Sequence, residues 1–87
     1  MITVIYHKDF IKHFKKLPKN IQCKAVHLED LFRDNPFHPS LYTKGLAGPL
    51  KRLFLFRITR EYRIIFTFSS QNEVLFLDLA HRKDIYR

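Results

Sequence analysis

Two groups of side chains in this 87-residue sequence have the types and spacing for chemistry. The ending LDLAHRKDIYR closes an apolar run and then sets His81, Arg82, Lys83, Asp84 and Tyr86 almost side by side. Upstream, FRITREYRIIF carries Arg57, Arg60, Glu61 and Arg63. An ordinary histidine pKa of about 6.5 makes His81 the best proton-transfer candidate in the chain. Arginine presents a planar fork of N–H donors that fits a phosphate. The two groups together suit proton transfer beside a bound anion. The terminal group forms one wall of such a site if the fold brings it against the upstream segment, and is a solvated tail if not.

The elements that must position these residues are strands. RLFLFRI (52–58), YRIIFTF (62–68) and EVLFLDLA (73–80) are rich in β-branched and aromatic residues, and Ser69-Ser70-Gln71-Asn72 reads as the turn between the last two. Side chains alternate faces along a strand. Phe54, Phe56 and Ile58 therefore share a face, as do Tyr62, Ile64, Phe66 and Phe68. If both phenylalanine faces pack on one core, Ile58 lies opposite Tyr62 and Arg57 opposite Arg63, with Thr59-Arg60-Glu61 as a three-residue turn. Like charges in that relation repel unless an anion sits between them or both bend into solvent.

The first half of the chain supplies the other layer. Residues 2–6, ITVIY, read as a short strand. Phe10, Ile11, Phe14 and Leu17 then fall on one helical face, with Lys8, Lys12, Lys15 and Lys16 elsewhere. Pro18 ends that helix and can open the next, whose stripe is Ile21, Ala25, Leu28 and Phe32. Asn35-Pro36 stops it. Residues 36–50, with three prolines and two glycines, read as a long loop, the kind that tends to be functional. The order β-α-α-β-β-β predicts a single α+β domain over 1–87, a helical hairpin packed on one face of a small, mostly antiparallel twisted sheet.

Composition narrows the partners. Sixteen Lys and Arg against eight Asp and Glu give a net charge of +8, which predicts an acidic partner: nucleic acid, an acidic protein or a membrane surface. The opening MITVIYHKDF has no signal-peptide pattern. The longest apolar runs, such as LFLF, are four residues, which excludes a membrane-spanning helix. The lone Cys23 fits a reducing compartment, and the expected location is the cytoplasm. Mid-helix, Cys23 reads as a small apolar filler.

Leu46-Ala47-Gly48, FRITREYRIIF (56–66) and LAHRKDIYR (79–87) together resemble the RelE/ParE superfamily of bacterial toxin–antitoxin toxins. The hairpin is similar to the YoeB-type branch and the ending to RelE- and HigB-type toxins. The resemblance implies a small microbial-ribonuclease-like fold, an antitoxin that masks the basic face, and metal-independent mRNA cleavage in the ribosomal A site, with no cofactor. By position it makes Arg63 and Arg82 the contacts to the scissile phosphate, Tyr86 an aromatic that stacks on a base or moves a proton, and His81 the histidine of a Gly-His-Arg ending. Arg57 and Glu61 match the hairpin arginine and glutamate of the YoeB type. Lys44, Lys51, Arg52, Arg60 and Lys83 are further phosphate-binding candidates. The sequence departs from the pattern at Leu53 and Leu55, where RelE-type enzymes carry cations, at Ala80, and in lacking an acidic residue over 36–50.

Such cleavage needs a base for the 2′-OH, fixed positive charge for the phosphorane, and an acid for the leaving oxygen. His81 suits proton transfer, Arg63 and Arg82 the phosphate, and Tyr86 a splayed base. Glu61 could be a base or a solvated turn carboxylate. His7, His13, His27 and His38 have no metal-ligand spacing and read as surface or packing residues, and Tyr6 and Tyr42 as packing. Two alternatives stand beside the nuclease: a ParE-type DNA gyrase inhibitor, and a basic RNA-binding module impaired in catalysis.

Overall fold

The computed structural model of the chain describes residues 1–50 and 52–85. Strand β1 (Thr3–Tyr6) leads into helix α1 (Lys8–Lys15) and helix α2 (Lys19–Asp34). Both helices start and stop for local reasons. His7 caps α1 by accepting the Asp9 N–H at 3.0 Å. Pro18, extended, is the cap of α2, and Asn35 leaves the helix in an extended conformation just before Pro36. Of the expected stripes, Phe10, Leu17, Ala25, Leu28 and Phe32 are buried and Phe14 and Ile21 are partly buried, whereas Ile11 is 41% exposed and lies off the buried face.

The second half holds strands β2 (Lys44–Gly45), β3 (Phe54–Arg57), β4 (Tyr62–Ser70) and β5 (Glu73–His81), and one turn of helix, α3 (Arg82–Ile85). The five strands form one sheet in the order β1-β5-β4-β3-β2. β1 runs parallel to β5 and the other pairs are antiparallel. The helices cover one face. Phe32 stands at the centre of that contact, fully buried, its ring 5.0 Å from Phe56, 4.9 Å from Phe66 and 5.3 Å from Phe76.

The hairpin register is the one alternation predicts: Phe56 lies opposite Ile64 and Arg57 opposite Arg63. Ile58 N–H closes the turn on Tyr62 O at 3.0 Å. Three expectations need correction. The segment 36–50 is not all loop: it contains β2, which pairs with Leu55 and Phe54, between two short 3-10 turns at Pro39–Leu41 and Gly48–Leu50. A two-residue strand among prolines and glycines has no periodicity to betray it. β3 is shorter than 52–58, while β4 and β5 reach Ser70 and His81, so the turn shrinks. Cys23 is exposed, on the opposite face of α2 from Ala25, Leu28 and Phe32, and fills no core space.

β5 also carries an irregularity with consequences. Phe66 pairs with Phe76 and Ile65 with Asp78, so Leu77 is an extra residue with no partner. That bulge inverts the alternation: Val74 and Phe76 are buried before it, and Leu79 after it.

Candidate anion site on the sheet

On the sheet face away from the helices, Arg57, Arg63 and Ala80 form a row across three strands, and Leu55 and Ile65 are a pair in the next row. Arg63 is 6% exposed, which makes it the buried charged residue among those described. Its Nη1 donates to the carbonyls of Thr59 at 2.8 Å and Arg60 at 2.7 Å, so the guanidinium is clamped by the β3–β4 turn. Thr59 Oγ1 accepts the Tyr62 and Glu61 N–H groups and stiffens that turn. Arg57 faces Arg63 directly and stacks its guanidinium 4.3 Å from the centre of the Tyr42 ring. Its Nε is buried and has no hydrogen-bond partner among the described residues. Among the described residues, no carboxylate lies within salt-bridge reach of either arginine.

Like charges directly opposed in a ladder destabilise it, and a buried donor without an acceptor costs about 1–3 kcal/mol. An anion on the face relieves the repulsion between the two arginines. The arrangement therefore has the character of a preformed phosphate site: one arginine fixed by backbone carbonyls, the other held flat by an aromatic ring, and an unused donor. Ala80, in the position that the resemblance fills with glycine, leaves the far side of Arg63 uncrowded.

His81 is elsewhere. It pairs with Tyr62, and the two rings meet edge to face at 5.4 Å on the opposite side of the sheet from Arg63. The expected convergence of His81 and Arg63 on one anion is not what the chain builds, and the Leu77 bulge is the reason. Were Leu77 paired in a regular ladder, His81 would share the face of Arg63; bulged out, it turns His81 to the helix side. There it borders an open cleft of about 420 Å³ with His13, Lys16, Asp78 and Asp84. Its Nδ1 accepts the Lys83 N–H at 3.2 Å, so His81 is the cap of α3. His7 and His38 make the same i-to-i+2 bond at the starts of their own helical turns. His13 is not a bare surface residue: its Nδ1 lies 2.6 Å from Asp78 Oδ1 and ties α1 to β5.

The chain's end does fold against the hairpin. Arg82 N–H donates to Glu61 O at 2.6 Å, which sets the first turn of α3 beside the turn that holds Arg63. Arg82 and Lys83 are exposed there, as are Arg60 and Glu61. Lys44 and Arg52 are exposed at the β2–β3 side. Lys51 and Tyr86 lie outside the described residues. No three His, Cys, Asp or Glu side chains gather as a metal site would require, among the described residues.

Tyr42, expected to be a packing residue, instead lays its ring on Arg57 and stands out from the core. Tyr42 is 62% exposed, and among the described residues it is the non-glycine with a positive φ (52°). A left-handed conformation costs an L-residue roughly 1–2 kcal/mol. No sequence pattern marks it; the signal is the strained backbone beneath a ring laid on an arginine.

Residues 4–86 match the model of a family described as "ParE toxin of type II toxin-antitoxin system, parDE". The chain belongs to that toxin family. Solved structures agree on its fold. A YoeB/ParE toxin from Agrobacterium tumefaciens superposes with a TM-score of 0.79 at 15% identity, over 93% of this chain and 99% of that one. The archaeal RelE–RelB complex from Pyrococcus horikoshii OT3 gives 0.76 at 22% identity, over 93% and 94%. The heterotetrameric YoeB–YefM toxin–antitoxin complex from Staphylococcus aureus gives 0.75 at 15% identity, over 92% and 95%. No curated protein matches the sequence. The matched range takes in Arg57, Arg63 and His81. No helix of the described residues is long and apolar enough to cross a membrane.

Proposed function

We propose that this toxin is an endoribonuclease that cuts mRNA at the ribosome, arrests translation, and is held silent by a cognate antitoxin protein. The observation that carries the reading is the opposed pair Arg57–Arg63, buried or half-buried, with no counter-charge among the described residues and one orphaned donor. The net charge of +8 draws a polyanion to it. Relatives solved as RelE–RelB and YoeB–YefM complexes support a protein partner.

In this reading the scissile phosphate enters between Arg57 and Arg63. Arg63 Nη1 is spent on turn carbonyls, and its Nη2 and Nε are left for the ligand. Because the carbonyls fix Arg63 in advance, little reorganisation is needed as negative charge grows on the phosphorane; such preorganised donors are worth about 10²–10³-fold each. Arg82, on the first turn of α3, adds charge from the chain's end. Proton transfer falls to Glu61 on the adjoining turn and, by family resemblance, to Tyr86. His81 acts as a cap.

A gyrase poison has no use for an arginine pair with an unfilled donor, so the mRNA target is the better fit. Expression of the toxin alone with separate pulse labels decides between them. Protein synthesis should stop within minutes, with new mRNA 5′ ends at ribosome-occupied positions. Arrest of DNA synthesis with strand breaks, and intact mRNA, would overturn the proposal.

A further inference from the structure

We propose that the exposed face of the Tyr42 ring is a nucleobase-binding subsite, adjoining the phosphate site at Arg57. The proposal rests on the reading that the Arg57–Arg63 face binds RNA.

Tyr42 sits where a helical turn ends in a left-handed residue, the position at which glycine or asparagine is cheap and tyrosine is not. What the chain gains there is a ring in a fixed place. On one side, Leu41 is fully buried and anchors the backbone, and its N–H reaches His38 O at 3.0 Å. On the other, Thr43 Oγ1 donates to Pro36 O at 2.6 Å, and Lys44–Gly45 pairs with β3. The Tyr42 N–H closes the turn on Pro39 O at 3.3 Å. The residue is thus held from both directions.

The ring makes no contribution to the core cluster. One face lies on the Arg57 guanidinium at 4.3 Å, and the residue as a whole is 62% exposed. A rigid aromatic plane, backed by a cation and open on the other side, is what single-stranded nucleic acid uses for stacking. The cation behind the ring anchors it against tilting. A base laid on Tyr42 leaves its own phosphate next to Arg57 and Arg63. Stacking takes any base, so the subsite contributes affinity and placement of the strand more than sequence choice, with purines favoured for their larger surface.

The test is direct binding of a short single-stranded RNA oligonucleotide, of the same oligonucleotide carrying one abasic position, and of inorganic phosphate. The proteins are the wild type and Tyr42→Phe, Tyr42→Leu, Tyr42→Gly and Arg57→Met. Tyr42→Phe should bind RNA as the wild type does. Tyr42→Leu and Tyr42→Gly should lose about 5- to 100-fold in RNA affinity. Their binding of inorganic phosphate should change far less, and the abasic oligonucleotide should no longer distinguish them from the wild type. Tyr42→Gly should unfold at the same temperature as the wild type or higher, since glycine tolerates the left-handed backbone. If Tyr42→Leu and Tyr42→Gly bind RNA like the wild type while Arg57→Met does not, the subsite is wrong and the RNA-binding face stands. If Arg57→Met also binds RNA and phosphate like the wild type, the underlying reading fails as well.

Discussion

Replacing Arg57 by methionine should make the protein more stable and less able to bind an anion. Methionine keeps the unbranched stem beside Arg63 and under Tyr42, and removes the charge. Three terms decide the sign. Opposed like charges in a strand pair cost about 0.2–1 kcal/mol, and the variant is relieved of that. The buried Nε without a partner costs about 1–3 kcal/mol, and it too is gone. Against these stands the Arg57–Tyr42 stacking contact, worth about 0.5–1 kcal/mol near a surface. The balance is a gain of about 0.2–3.5 kcal/mol, and its midpoint of about 2 kcal/mol is roughly 8–16 °C in Tm for a domain of this size. Thermal unfolding measured with and without inorganic phosphate checks both halves. In anion-free buffer Arg57→Met should melt above the wild type. Phosphate at tenfold its Kd should raise wild-type stability by about 1.4 kcal/mol through mass action and the variant's by less. Any general effect of phosphate on burial acts on both proteins and cancels in the comparison. A variant that is less stable than the wild type and equally responsive to phosphate would refute the reasoning, because Arg57 would then be a satisfied structural residue.

Arg63→Lys keeps the charge but loses the fork that spans the Thr59 and Arg60 carbonyls, so urea unfolding should show a loss of about 1–3 kcal/mol; unchanged stability would mean the clamp is idle. His81→Asn should preserve both stability and growth arrest, since asparagine is itself a good cap, whereas His81→Ala should lose about 1 kcal/mol. A stable but harmless Asn variant would return the imidazole to the chemistry. Tyr6 donates to Glu29 and accepts from Arg33 Nη2 at 3.2 Å, and burial, then the Glu29 bond, hold its hydroxyl above the ordinary value of 10.0. The folded state therefore keeps that proton longer than the unfolded chain. The stability it contributes is complete below pH 10 and is lost as pH rises through the elevated value. Tyr6→Phe should cost about 0.5–1.5 kcal/mol at neutral pH and flatten the alkaline decline, as read by urea titration across pH 8–12.

Much of this fold is written in short-range patterns. The helical stripes, the Pro18 and Pro36 stops, and the facing of Arg57 and Arg63 all follow from periodicity and the burial of phenylalanine. The features that escaped are those where one residue breaks a pattern without changing composition. Leu77 sits in an apolar run that alternates no differently with or without a bulge, yet it decides which face receives His81. The β2 pair Lys44–Gly45 is fixed by its partners on β3 and by nothing local. Tyr42 gives no sign in the sequence that its backbone is left-handed. Strand alternation puts Arg57 and Arg63 on one face, because their register is set by the hairpin. The family motif groups His81 with them and the structure does not, because a motif at the end of a strand counts residues and not faces.

The most direct measurement is a titration of the toxin with a non-cleavable single-stranded oligonucleotide, following the arginine Nε–H and histidine ring signals by NMR. The account predicts that the Nε–H signals of Arg57 and Arg63 shift together and saturate at one Kd, while the His81 ring does not move. Shifts confined to His81 and His13, with both arginines silent, would put the ligand on the helix side of the sheet and contradict it.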